Sequence, residues 1–188
     1  MKKIAILLAA APLALVACTS ETNSADAAAE SSETAAPITA EEVAAAQTAW
    51  GEGIVAIGKA FTEEGDFRAA ADEHIKKFYA YGDADTILFK PTLAAEDQFR
   101  GTFDEAMSYF VGTEGSEDKG FAIAPWTAVR WENEGTVVDS DSAMAMGNYY
   151  FTDTEGNDTK VEYSFGYVRG DDGELKINLH HSSVPFGG

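Results

Sequence analysis

Residues 160–184 read KVEYSFGYVRGDDGELKINLHHSSV, and this stretch decides the fold. Two β-leaning runs, 160–169 and 174–184, flank Gly170-Asp171-Asp172-Gly173, whose glycines and aspartates favour a tight reversal of the chain. Working back from this pair, further β-leaning runs occupy about 142–152, 135–139 and 123–132. They are separated by turn-rich breaks such as Glu155-Gly156-Asn157-Asp158 and Asn133-Glu134-Gly135. The carboxy-terminal part of the chain therefore predicts consecutive antiparallel strands.

The residues before Phe121 follow a different period. Thr39-Ala40-Glu41-Glu42 has the form of a capping box, and Val43, Ala46, Trp50, Ile54 and Ile57 follow at spacings of three and four. Gly51, Gly53 and Gly58 weaken that helix and predict a bend or break in it. A second helix is expected from about Asp66, with Phe67, Ala71, Ile75 and Phe78 on one face and His74 at its boundary. Thr86-Ile87-Leu88-Phe89 is a short β-leaning run stopped by Pro91. Thr102-Phe103-Asp104-Glu105 is another capping box, and its helix closes at Gly112. Helices followed by antiparallel strands make an α+β plan, in which a strongly curved sheet wrapped around the helices, a half-open cone, buries both apolar sets.

The last strand carries the most chemistry. Side chains alternate along a strand, so with Ile177 and Leu179 facing the core, His181 and Ser183 continue on that inward face. His180 and Ser182 then point outward with Lys176 and Asn178. A histidine and a serine at the end of an apolar stripe suit either a hydrogen-bonded core pair or a binding site. Adjacent histidines diverge on a strand, the only other histidine is His74, and the only cysteine is Cys18, so a closed histidine–thiolate zinc site is excluded by inventory. No nucleophile elbow accompanies Ser183, which argues against a serine hydrolase.

The amino terminus predicts export. Met1-Lys2-Lys3 precedes an apolar run, Ile4 to Ala17, that is too short to span a bilayer. Leu15-Val16-Ala17-Cys18 resembles a bacterial lipobox. On that reading residues 1–17 are a lipoprotein signal peptide and Cys18 takes the lipid. Thr19, in place of aspartate, directs the protein to the outer membrane of a Gram-negative envelope, facing the periplasm. Residues 18–37 hold no apolar side chain larger than Ala before Pro37 and read as a disordered tether, which leaves 38–188 as one domain. The formal charge of −19 becomes −21 once Lys2 and Lys3 are removed, and such a chain repels nucleic acid and anionic membrane surfaces. The charge is not diagnostic of substrate, and an acidic surface suited to a salty exterior accounts for it best.

Several motifs, in order, resemble the iota-class carbonic anhydrases of bacteria and algae. They are Phe89-Lys90-Pro91-Thr92, Glu96-Asp97-Gln98-Phe99-Arg100, Ser108-Tyr109-Phe110, Glu117 through Ile123, Ala145-Met146-Gly147-Asn148-Tyr149 and His180-His181-Ser182-Ser183. The resemblance runs from about residue 60 to residue 186. It implies the NTF2-like cone shared with the association domain of calcium/calmodulin-dependent kinase II, a fold that also hosts isomerases, hydratases and plain binding modules. It further implies reversible hydration of carbon dioxide to bicarbonate without a metal or other cofactor, in a pocket where hydroxyl groups hold the bicarbonate.

Carried over residue by residue, the resemblance gives that role to Thr92, Tyr109 and Ser183, with His181 beside them as a catalytic group. Either Tyr109 or His181 takes the proton. Some members have three consecutive histidines and are described as metal-dependent; here Leu179 stands in the first of those places, which favours the metal-free type. The phosphoribosyl-AMP cyclohydrolase label given to some relatives needs a zinc held partly by cysteines, and the one cysteine here goes to lipid. A homodimer through the outer sheet face is expected, with the lipid as the only membrane contact. The alternative reading is a non-catalytic NTF2-like lipoprotein that binds a small ligand or a partner protein.

Overall fold

Both threonine capping boxes form in the computed structural model, which describes residues 36–83 and 87–187. Thr39 accepts the Glu42 amide and Glu42 accepts the Thr39 amide in return, opening α1, Ala40–Thr62. Asp66 caps α2, Phe67–Phe78, and the Thr102–Glu105 box opens α3, Phe103–Val111. The expected signal peptide, Cys18 and nearly all of the tether lie outside the described residues.

The helix α1 does not break at its glycines. Side chains added at Gly51, Gly53 and Gly58 would run into Val129, His74 and the Ala124 carbonyl respectively, so the glycines allow neighbouring elements to pack directly on the helix. Its buried face carries Val43, Gln47, Trp50, Ile54 and Ile57. Trp50 is 1% exposed, with the rings of His74, Tyr149, Phe165 and His180 all within 6.0 Å of its own.

The sheet has five strands: β1 Leu88–Lys90, β2 Ala128–Val138, β3 Ser142–Thr152, β4 Asp158–Arg169 and β5 Leu175–Ser183. Their order is β1-β5-β4-β3-β2, with β1 parallel to β5 and the other pairs antiparallel. The curled sheet stays unclosed, with β1 and β2 at its edges. Asn133-Glu134-Gly135, read above as a turn between two strands, is instead a bulge within β2. Gly147 lies opposite, where a side chain would collide with the Glu132 carbonyl, so the extra residue fits against a bare backbone. A 3-10 turn, Phe121–Ile123, brings Phe121 under Trp50 before β2 begins.

A second bulge determines what faces the core. Gly166 of β4 pairs with Leu179 and Tyr167 pairs with Ile177, which leaves Asn178 unpaired. One extra residue shifts the alternation by one position. Beyond the bulge His180 and Ser182 are each 3% exposed and lie on the face of Phe165 and Tyr163, while His181 is exposed. Ser183 pairs with Glu162 at the outer face. The expected orientation is therefore reversed: His181 and Ser183 point away from the core and their neighbours point in.

Candidate active site

The curled sheet, α3 and the loop after β1 enclose a cavity of about 130 Å³. Phe121, Trp126, Phe151 and Val161 give it apolar walls, and Thr92, Tyr109, Tyr149, His180 and Ser182 supply its polar groups. The parallel pairing of Lys90 with His181 brings the β1 end beside the β5 end, and Pro91 then turns the chain inward. As a result the Thr92 hydroxyl donates to Ser182 Oγ at 2.9 Å.

The loop that carries Thr92 is tied down by charge. Glu117 accepts the backbone N–H groups of Ala95, Glu96 and Asp97 at 2.8, 3.1 and 3.0 Å. These bonds hold its carboxyl below the usual carboxylate range. Arg100, 3% exposed, donates to Asp118 at 2.6 Å and to the Asp97 and Phe99 carbonyls. The same guanidinium lies 6.0 Å from the Tyr109 ring centre.

Tyr109 projects from α3 and is 6% exposed. Its ring stacks on Phe121 at 5.5 Å and meets Phe89 edge-on. Burial pushes the phenol up to about 12, against the opposing pull of the Leu93 and Thr92 backbone amides that face its oxygen. The hydroxyl therefore stays protonated at neutral pH.

His180 is sandwiched between rings, parallel to Phe89 at 4.5 Å and 4.1 Å from Phe165. Its Nδ1 is 2.8 Å from the Tyr79 hydroxyl and its Nε2 is 3.4 Å from that of Tyr149. Burial, reinforced by neighbouring His181, drives its pKa well below the ordinary histidine value, so the ring is neutral. Burial also raises the phenols of Tyr79 and Tyr149.

Of the residues expected at the site, Thr92 and Tyr109 line the cavity, whereas His181 and Ser183 do not. The Ser183 hydroxyl donates to Glu162 at 3.1 Å. Ser182, His180 and Tyr149 line the cavity without having been expected there, and Tyr79 lies behind His180. A glycine inside a strand run signals a bulge, and Gly166 was the signal available. No group of three or more His, Cys, Asp or Glu side chains placed to hold a metal ion occurs among the described residues.

Residues 41–184 match the family model described as metal-independent carbonic anhydrase. A metal-independent carbonic anhydrase of Nostoc sp. (strain PCC 7120) is 38% identical over 198 residues, an alignment covering 98% of this chain and 96% of that one. The crystal structure of the iota-carbonic anhydrase from a cyanobacterium, complexed with bicarbonate, superposes with a TM-score of 0.76 at 38% identity. That match covers 81% of this chain and 95% of the other. An association-domain protein of the calcium/calmodulin-dependent protein kinase II type from Xanthomonas campestris shares the fold at 22% identity, with a TM-score of 0.53 over 79% and 89% of the two chains.

Proposed function

The chain belongs to the metal-independent carbonic anhydrases, and we propose that it hydrates carbon dioxide reversibly in the cavity between Thr92, Tyr109 and Ser182. The observation that carries this reading is the Thr92–Ser182 hydroxyl pair, 2.9 Å apart in a cavity with apolar walls. Carbon dioxide has no net charge and suits apolar walls, while bicarbonate has three oxygens that need partners. Hydroxyl groups held in place before the reaction stabilise charge as it develops on those oxygens and need not reorganise. The bicarbonate in the cyanobacterial neighbour supports the same class of ligand here.

Ser182 replaces Ser183 in this reading, and His180 replaces His181 as the histidine at the cavity. With Tyr109 and His180 both neutral, the site works through hydrogen bonds rather than through a permanently charged base. Family membership removes the alternative of a plain binding module.

The reading extends to the cell envelope: a lipoprotein anchored through Cys18, acting in the periplasm. It also extends to a homodimer through the outer sheet face, where Val137, Met144 and Met146 are 65, 62 and 58% exposed.

Stopped-flow carbon dioxide hydration by the purified protein, after chelator treatment and with metal content assayed on the same sample, tests the proposal. Hydration that survives metal removal supports it. Activity regained only when metal is added back overturns the hydroxyl-only site.

A further inference from the structure

The hydrogen bonds behind the cavity have a direction, and Trp50 sets it. An indole N–H can only donate. Trp50 Nε1 is 3.2 Å from the Tyr79 oxygen, which must therefore accept. Among the described residues the one other partner of that hydroxyl is His180 Nδ1 at 2.8 Å. If Nδ1 carried a proton, Tyr79 would accept twice and its own O–H would be buried without an acceptor, an arrangement folded proteins avoid. The Tyr79 proton therefore goes to Nδ1.

A neutral ring that accepts at Nδ1 carries its hydrogen on Nε2, which faces the Tyr149 oxygen. Tyr149, having accepted, has its own O–H to give, and Ser182 lines the same cavity as Tyr149. Ser182 Oγ also receives the Thr92 hydroxyl. A serine oxygen has two lone pairs, so one remains to accept the Tyr149 O–H.

We infer that Trp50, Tyr79, His180 and Tyr149 form a one-way donor chain that leaves the Ser182 O–H for the substrate and the Thr92 oxygen as acceptor for water. The inference rests on the function proposed above and assigns Tyr79, His180 and Tyr149 as positioning residues for it. It also gives each hydroxyl one task. Ser182 and Tyr109 donate to carbon dioxide oxygens, and Thr92 accepts from the attacking water.

The hydration step then balances without a charged base. The water oxygen forms a bond to carbon as one carbon–oxygen π pair moves onto oxygen. The water gives a proton to Thr92 Oγ1, Thr92 gives its own to Ser182, and Ser182 gives its own to the oxygen that gained the pair. The product is carbonic acid, which loses a proton to solvent and becomes bicarbonate.

The test uses the full chain carrying 15N-labelled histidine. Long-range nitrogen–proton correlation spectra should show His180 protonated at Nε2 and bare at Nδ1, unchanged from pH 6 to pH 9. A proton on Nδ1 overturns the chain's direction whether or not the protein hydrates carbon dioxide. Absence of hydration in the unmodified protein overturns the proposed function and leaves the tautomer measurement to decide the chain. Tyr79→Phe should lower kcat by several-fold to about tenfold, the scale of one lost buried hydrogen bond, with KM little changed. His180→Gln, which keeps a donor near the Nε2 position, should retain more activity than His180→Asn. Normal kcat in a folded Tyr79→Phe protein overturns the positioning role, and Tyr149→Phe reads the same link if Tyr79→Phe does not fold.

Discussion

The Thr92 hydroxyl and Ser182 Oγ lie 2.9 Å apart although ninety residues separate them in the chain. Two features produce that contact. The parallel pairing of β1 with β5 sets Lys90 beside His181, and the bulge at Asn178 turns Ser182, not Ser183, toward the loop. Without the bulge Thr92 would face the His181 and Ser183 side of the strand, and Ser182 would point away from the cavity.

The two adjacent serines should therefore behave differently. Ser182→Ala removes a hydroxyl from the proposed reacting centre and should lower kcat/KM about a hundredfold or more, as loss of one preorganised donor does elsewhere. Ser183→Ala and His181→Ala, both on the outer face, should stay within about twofold of the parent protein. Steady-state hydration rates of the three variants decide this. A large loss in Ser183→Ala with a normal Ser182→Ala would mean that the strand register in solution is the unbulged one.

Glu117 holds the Thr92 loop through three backbone amides and touches nothing in the cavity. Glu117→Ala should lower turnover by about tenfold to a hundredfold through misplacement of Thr92. Hydrogen exchange at the Ala95, Glu96 and Asp97 amides should speed up in the same protein. Because its carboxyl is held below the usual range, the parent loop should stay protected until the pH falls below the normal glutamate value. Faster turnover loss without faster exchange would place the effect of Glu117 somewhere other than the loop.

Local rules made most of the fold legible. Both threonine capping boxes open helices, the late runs form the antiparallel strands, and Gly112 ends α3 at positive φ. What failed was anything that depends on a partner strand. Residue alternation along β5 is a local rule, but the slip at Asn178 is permitted by Gly166 on β4, where a side chain would sit 3.0 Å from the Leu179 Cβ. The glycines of α1 misled for the same reason, since their cost to the helix is local and their benefit comes from His74, Val129 and the Ala124 carbonyl. Thr92 and Tyr109 were found through motif resemblance. Tyr79 and His180 could not be paired from sequence, because a parallel bridge between Tyr79 and Ile177 sets their spacing.

Arg100 and Asp118 form an ion pair with side chains 3 and 4% exposed. Removing Asp118 strips Arg100 of its nearest counter-charge and leaves it the more distant Glu117 carboxylate at 3.6 Å. Asp118→Ala should cost about 3–5 kcal/mol. For a domain of this size that lowers Tm by roughly 10 °C, given about 2–4 °C per kcal/mol. Thermal unfolding measured beside an exposed control such as Glu63→Ala checks it. A shift no larger than the control's would show that water reaches Arg100 and replaces its partner.

Tyr109 should not titrate during catalysis. Burial pushes its phenol up to about 12, and His180 stays neutral because burial drives its pKa far down. Hydration kcat should therefore be flat from about pH 7 to pH 10, with no limb near the ordinary histidine value of about 6.5. Tyr109→Phe should lower kcat about a hundredfold across that whole range and leave the profile flat. A sigmoidal rise centred near pH 6.5 would point to an exposed titrating base, and its loss in His181→Ala would identify that base.

His74 connects the core to acid stability. It is 5% exposed between Trp50, Phe78 and Phe110, and neither ring nitrogen has a hydrogen-bond partner among the described residues. Burial first and then the nearby Lys77 charge bring its pKa down to about 3. The unfolded chain takes up the proton near pH 6.5, so between about 6.5 and 3 the unfolded state binds more protons than the folded one. Stability must then fall as the pH drops through that window, by up to about 1.4 kcal/mol per pH unit from this residue. His180, shifted in the same direction, adds to the slope. His74→Phe keeps an aromatic ring in the site and removes the titration, so its denaturation midpoint should decline less steeply between pH 6.5 and pH 4. Equal slopes in urea titrations of the two proteins would mean that His74 is protonated in the folded state, with water or Lys77 rearranged to accommodate the charge.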